Sequence, residues 1–284
     1  MKIFYAMIFA FLLFFPRPGM SKELTLWKNV EVKKLKRDRG HEVCIEKIPH
    51  VKQRKNYCAP ASCSMVLRYL DQRYNQKDLG KLFKSDRKKG TYVSEIYEAF
   101  QLPEFQAFAL VPIYTLTNKE FSAMQAFYSQ AAVNGQENPG KSKRSKKKKS
   151  RRRASGDGAK DWWGTLDPDL AREVLPRCRT QLKECFVELC RQYIDAGIPV
   201  MWSVSMALDP HTPSPEGHMR VINGYVVKNG SVSHILYRDS WRGHSGGSEM
   251  TLDNAVAMTK VLFAIVPREV QNSDLTRIKP LIKK

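Results

Sequence analysis

The 284-residue sequence has no C-x-x-C pair, no apolar run of bilayer length, and far fewer acidic than basic residues. The missing C-x-x-C removes the commonest spacing for a structural zinc site, so no zinc is expected. The longest apolar stretch lies in MKIFYAMIFAFLLFFPRPGMS and runs thirteen residues before its prolines. That falls short of the roughly 20 residues that cross a bilayer. It fits a signal-peptide core or an uncleaved anchor over residues 1–20, and so predicts export. No small-x-small cleavage pattern precedes Met20, and a start at Met20 instead makes the product cytoplasmic. A mean hydropathy of −0.45 with 27% charged residues argues against a multi-span membrane protein.

The acidic shortage is local. Lys and Arg number 48 against 28 Asp and Glu, a net charge of +20. Residues 141–153, KSKRSKKKKSRRR, supply ten of those charges with no acidic residue among them. Such a run describes its own segment and not the fold. Gly, Ser and Asn surround it, which predicts a disordered loop over 133–160. Lys146, Lys147, Lys148, Lys149, Arg151, Arg152 and Arg153 are candidates for contact with a polyanion, a nucleic acid or an anionic membrane surface. No aromatic residue interrupts the run, so it offers bases no stacking platform. The plainer alternative is a solvated insertion that touches nothing specific.

Residues 21–45 read as a polar, basic lead-in with one short strand. A helix is expected from about Cys58 to Asp71, because Ala59, Cys63, Val66, Leu67 and Leu70 fall on one stripe. Pro60 fits only because it stands in the first turn. Shorter helices follow near 76–84, capped by Asn75, and near 92–101, capped by Thr91. Residues 103–133 combine a strand-like stretch with a helix-like one. Order resumes with an amphipathic helix near 180–196, stopped by Gly197. An apolar strand, IPVMWSVSM, and a Pro/Gly/Asp loop over 209–217 come next. Asn229-Gly230 then joins two β-branched and aromatic runs, which marks a two-residue hairpin.

The hairpin carries the chemistry. With Lys228 facing Ser231, Asp239 stands opposite Arg220, and His218 lies two residues further along the same face. His218 and Asp239 become diagonal neighbours able to hydrogen-bond. A cross-strand salt bridge from Arg220 to Asp239, with His218 merely at the strand end, is the competing reading, and one β-bulge would invert the parity. His234 faces the other side, His211 and His244 sit in loops, and His41 and His50 precede the nucleophile region.

Cys58 supplies the thiol, since a helix N-terminus favours thiolate. Gln53, five residues earlier, joins the Cys58 N–H as a second oxyanion donor. Cys63 belongs to the apolar stripe and is read as packing. Cys185 and Cys190, five apart on a helix, point in different directions, and no disulfide framework is expected.

IPHVKQRKNYCAPASCSMVLRYL, followed distantly by GHMRVINGY and YRDSWRG, resembles the bacteriocin-processing cysteine peptidases and their stand-alone relatives in the papain-like clan. DSW is similar to the Asn-Ser-Trp of papain, with Asp in place of Asn. The resemblance covers roughly 46–101 and 180–266. It implies an α+β papain-like fold, a nucleophile helix packed against an antiparallel sheet, over residues 46–284 with an insertion at about 102–179. It assigns Cys58 as nucleophile, His218 as base, Asp239 as its orienting residue and Gln53 as the oxyanion glutamine. The chain has no room for the transporter to which leader-trimming members are fused. The activity implied is hydrolysis of a peptide or protein substrate through a thioester, a chemistry that needs no metal or organic cofactor. The same thioester passed to an amine gives transpeptidation or transamidation. A catalytically idle module that binds polyanions through its basic loop is the reading from a different class.

Overall fold

The computed structural model describes residues 31–86, 88–136, 158–241 and 247–268. Among them the chain forms an α+β protein of eight α-helices and one antiparallel sheet of eight strands. The signal-like segment 1–20, most of the loop at 133–160 and His244 lie outside the described residues.

The sheet is organised around one long strand, β5 (Gly217–Lys228). Its first half pairs with β4 (Val200–Ser205) and its second half with β2 (Gly40–Ile45). The remaining edge takes β6 (Ser231–Asp239), followed by β7 (Gly247–Thr251). Beyond β4 come β8 (Thr259–Pro267) and β3 (Phe108–Thr115), and beyond β2 comes β1 (Val32–Arg37).

Residues 32–45 correct the sequence reading. They form two strands, not one, and both join the sheet. Strand β1 is VKKLKR with an exposed lysine-rich face, which disguised it as a lead-in; edge strands commonly carry such lysines. The β5–β6 turn matches expectation, with Asn229 and Gly230 both at positive φ, 51° and 79°, as a type I′ turn requires.

Helix α1 (Cys58–Tyr69) follows the predicted stripe: Ala59, Cys63, Val66, Leu67 and Leu70 are all buried. Each large apolar residue so buried contributes about 1.5–3 kcal/mol. Asp71 at φ 57° ends the helix, and the Gln72 N–H closes back on the Leu67 carbonyl at 2.8 Å, in the manner of a Schellman motif. Helix α2 (Gln76–Leu82) is capped by Asn75, whose side chain accepts from the N–H groups of Lys77 and Asp78. Helix α3 (Val93–Ala99) does not use Thr91 as its cap. Thr91 hydrogen-bonds Ser85, and Tyr92 stands at the cap with its N–H donated to Glu95.

The described part of 102–179 holds the strand-like and helix-like stretches expected over 103–133 and two further helices. It contains β3, then α4 (Asn118–Gln136), α5 (Gly158–Thr165) and α6 (Pro168–Cys178). Asp167 caps α6 with Pro168 at its first turn, a start signal that Pro176 near the other end obscured. Helix α7 (Thr180–Leu189) runs into a π-turn over Cys190–Ile194 and stops at Gly197, φ 74°. Helix α8 (Leu252–Met258) leads into β8, and buried Arg179 donates to the Val256, Ala257 and Thr259 carbonyls at its end. None of the described helices is long and apolar enough to cross a membrane.

Candidate active site

The N-terminus of α1 meets the start of β5. Ser62, one turn beyond Cys58, donates its hydroxyl to the Met219 carbonyl at 2.9 Å. That bond pins the helix to the strand one residue from His218. Tyr57 holds the helix start from the other side, packed so closely on α2 that a Cβ at Gly80 would come within 2.3 Å of its ring.

The structure brings together Cys58, His218, Asp239 and Gln53. His218 Nε2 lies 2.7 Å from Asp239 Oδ1, with both side chains buried. Nε2 is thereby engaged, which leaves Nδ1 as the ring nitrogen that can serve the Cys58 thiol on the same cavity. Burial opposes a charged imidazole, but bonds to Asp239 and Cys58 outweigh it and push His218 up from 6.5 to about 9. Burial likewise opposes the thiolate. The His218 hydrogen bond and charge, with backbone N–H groups of Met219 and Ala59, still hold Cys58 below its ordinary value. Both shifts favour one state, thiolate beside imidazolium. Asp239 is held well below the carboxylate range, burial notwithstanding, by His218, Arg220 and the Trp241 N–H.

Asp239 serves both of the readings that the sequence set against each other. Oδ1 takes His218 and the Trp241 N–H at 2.8 Å, while Oδ2 takes Arg220 Nε at 2.8 Å. Arg220 then reaches Asp209 Oδ2 at 2.6 Å and lies over the rings of Tyr237 and Trp202. Asp209 in turn accepts the N–H groups of His211 and Thr212. A relay of alternating charge thus runs from Cys58 through His218, Asp239 and Arg220 to Asp209. Every hydrogen-bonding oxygen of its two carboxylates is used, the condition under which buried charge is tolerated.

Gln53 is fixed at both ends. Its N–H donates to the Ser240 carbonyl and its side-chain oxygen accepts from Ser240 Oγ, each at 2.8 Å. With the oxygen so engaged, the amide NH₂ is the end presented as a donor. Gln53, Cys58, His218 and Trp241 line one cavity of about 390 Å³. Trp241 packs its ring against that of His218, centroids 5.1 Å apart.

The other expectations separate cleanly. Cys63 is buried and its thiol is pushed up by desolvation, so it packs and does not react. All six cysteines are thiols. His234 contacts Ser233, away from the site, while His50 donates from Nε2 to the Asp239 carbonyl at 3.0 Å and braces the backbone there. No group of three or more His, Cys, Asp or Glu among the described residues is placed to hold a metal ion. Lys146, Lys147, Lys148, Lys149, Arg151, Arg152 and Arg153 lie outside the described residues. Sequence reasoning missed Ser62, Ser240, His50 and Asp209. Only Ser240 carried a local signal, as the residue between Asp239 and Trp241. No protein-family model matches the chain, and no curated protein matches it in sequence.

Proposed function

We propose that the chain is a papain-like cysteine peptidase that hydrolyses amide bonds through a thioester on Cys58. The observation that carries this reading is His218 held through Nε2 by buried Asp239 and lining one open cavity together with Cys58. The α+β fold, with its helix N-terminus set against an antiparallel sheet, supports it.

The chemistry follows from the groups present. Cys58 thiolate attacks the scissile carbonyl carbon, forming a C–S bond while the carbonyl electrons move to oxygen. The Gln53 amide and the Cys58 N–H, at a helix end where N–H groups lack intrahelical acceptors, stabilise that oxyanion. The carbonyl re-forms, the C–N bond breaks, and imidazolium His218 passes its proton to the departing amine. Neutral His218 next takes a proton from water, which attacks the thioester. The acid leaves, and thiolate and imidazolium are restored. Asp239 stays ionised throughout and holds the ring in the orientation that both transfers need.

The test is hydrolysis of a quenched fluorescent peptide library by the full chain and by Cys58→Ala. Loss of hydrolysis in the variant supports the reading. Undiminished hydrolysis refutes it.

A further inference from the structure

The mouth of the cavity carries a charge pattern that the thioester chemistry does not use. Arg54 and Lys55 on one loop, and Lys88 and Lys89 on another, line the same cavity as Cys58 and His218. All four are exposed, and among the described residues Glu216 is the one carboxylate lining it beside them. None of the four forms an ion pair among the described residues, whereas Lys33, Arg37, Lys47 and Lys183 elsewhere on the surface do. Nor are they needed to activate the thiol, which His218 and two backbone N–H groups already depress.

Both loops are built to hold these positions. The Arg54 N–H donates to Gln76 Oε1, and Gln76 Nε2 returns a bond to the Lys52 carbonyl, both at 2.8 Å. The second loop is closed by a reciprocal backbone pair between Asp86 and Gly90, with the Lys88 N–H donated to Asp86 Oδ1. Asn56, at φ 58°, donates to the Lys88 carbonyl and ties the two loops together. The cations are therefore presented from anchored backbone beside the reacting thiol.

Resting on the peptidase reading, we infer that this mouth selects acidic polypeptide segments, with Asp or Glu flanking the bond presented to Cys58. An isolated charge pair at about 4 Å in a water-like medium is worth roughly fivefold in affinity. Two or three such contacts at a site of one sign give a preference on the order of tenfold or more, and one that salt screens.

Binding to the full-length Cys58→Ala protein tests the inference without turnover. A fluorescein-labelled Glu-rich peptide is compared by anisotropy with its Gln counterpart. The Glu peptide is expected to bind at least about tenfold tighter at low salt, with the advantage collapsing near about 0.5 M salt. The double variant K88E/K89E removes the preference. The control K34E/K36E reverses the same number of charges on β1, whose partner β2 pairs with the half of β5 remote from His218, and leaves the preference intact. In the unmutated protein the Glu peptide also protects Cys58 from iodoacetamide. Equal binding of the two peptides overturns the inference. So does a preference that survives K88E/K89E and disappears only when residues 141–153 are deleted. Failure of the peptidase reading shows separately, as ordinary thiol reactivity at Cys58 and no hydrolysis, and leaves the binding comparison readable.

Discussion

His218 and Asp239 meet diagonally across β5 and β6, ring Nε2 to carboxylate Oδ1 at 2.7 Å, although two bulges lie between them and the turn. Asn223 is the extra residue on β5 and Ser233 the extra residue on β6. One bulge alone turns every later side chain to the opposite face. One on each strand cancels, so Arg220 still faces Asp239. Asn223 uses its amide to reach the Ile45 carbonyl at 3.3 Å, and Ser233 Oγ bonds the Val226 carbonyl at 3.1 Å. Both bulges are thereby locked.

Asp239→Asn keeps the shape of this contact and removes its charge. The amide accepts less strongly from His218 and leaves Arg220 underpaired. Peptide hydrolysis, measured as kcat/KM, is expected to fall on the order of 10²- to 10⁴-fold, the range for losing a correctly oriented acid–base group. The alkylation rate of Cys58 near neutral pH falls with it, because the imidazolium that stabilises the thiolate is lost first.

Arg220→Met tests the buried relay. The change leaves Asp239 and Asp209 facing an uncharged side chain in a desolvated site. Removing one partner of a buried pair costs about 3–5 kcal/mol, measured as a loss in the urea or thermal unfolding transition. The double change Arg220→Met with Asp209→Asn recovers part of it, since one of the two orphaned charges is gone. Equal losses in both variants would show that the Arg220–Asp209 contact carries no coupling.

The pH profile of kcat/KM is expected to be bell-shaped. Activity rises as Cys58 ionises, at a pH below the ordinary thiol range, and falls as His218 loses its proton near about 9. The sign for stability follows from the same shift. His218 binds its proton more tightly folded than unfolded, about 9 against 6.5, so its contribution is complete below 6.5 and disappears as pH rises through about 9. Asp239 acts oppositely: its contribution is present above 3.8 and is lost at lower pH. The unfolding temperature, followed across pH, checks both limbs.

Ser240→Ala separates positioning from catalysis. It removes the bond to the Gln53 side-chain oxygen and leaves the amide free to rotate. Gln53→Ala removes the donor itself and is expected to lower kcat by about 10²- to 10³-fold. Ser240→Ala gives a smaller loss, roughly tenfold, with KM little changed. A loss of equal size in both variants would mean that the bond to Ser240 is indispensable to the amide's role.

The sequence was most legible where the chemistry was local. The stripe that buries Leu67 and Cys63, the Asn75 cap and the Asn229-Gly230 turn each depend on residues within a few positions, and each matches the structure. The paired positions of Arg220 and Asp239 also match, for a reason that counting back from the turn did not contain: two offsetting bulges. Long-range partners were not legible. Asp209 meets Arg220 from a loop, Ser62 meets Met219 across 157 residues of chain, and Ser240 meets Gln53 across 187. The β1–β2 hairpin hid behind lysines that suit an edge strand, and α6 hid behind Pro176.

The most direct test is the alkylation of the native protein by iodoacetamide as a function of pH, with the labelled cysteine mapped by mass spectrometry. Cys58 is predicted to react first, at a rate already high below neutral pH and reduced strongly in Asp239→Asn, while buried Cys63 stays unlabelled. A Cys58 rate that climbs only as pH nears the ordinary thiol value of 9.0, unaffected by Asp239→Asn, would contradict the account.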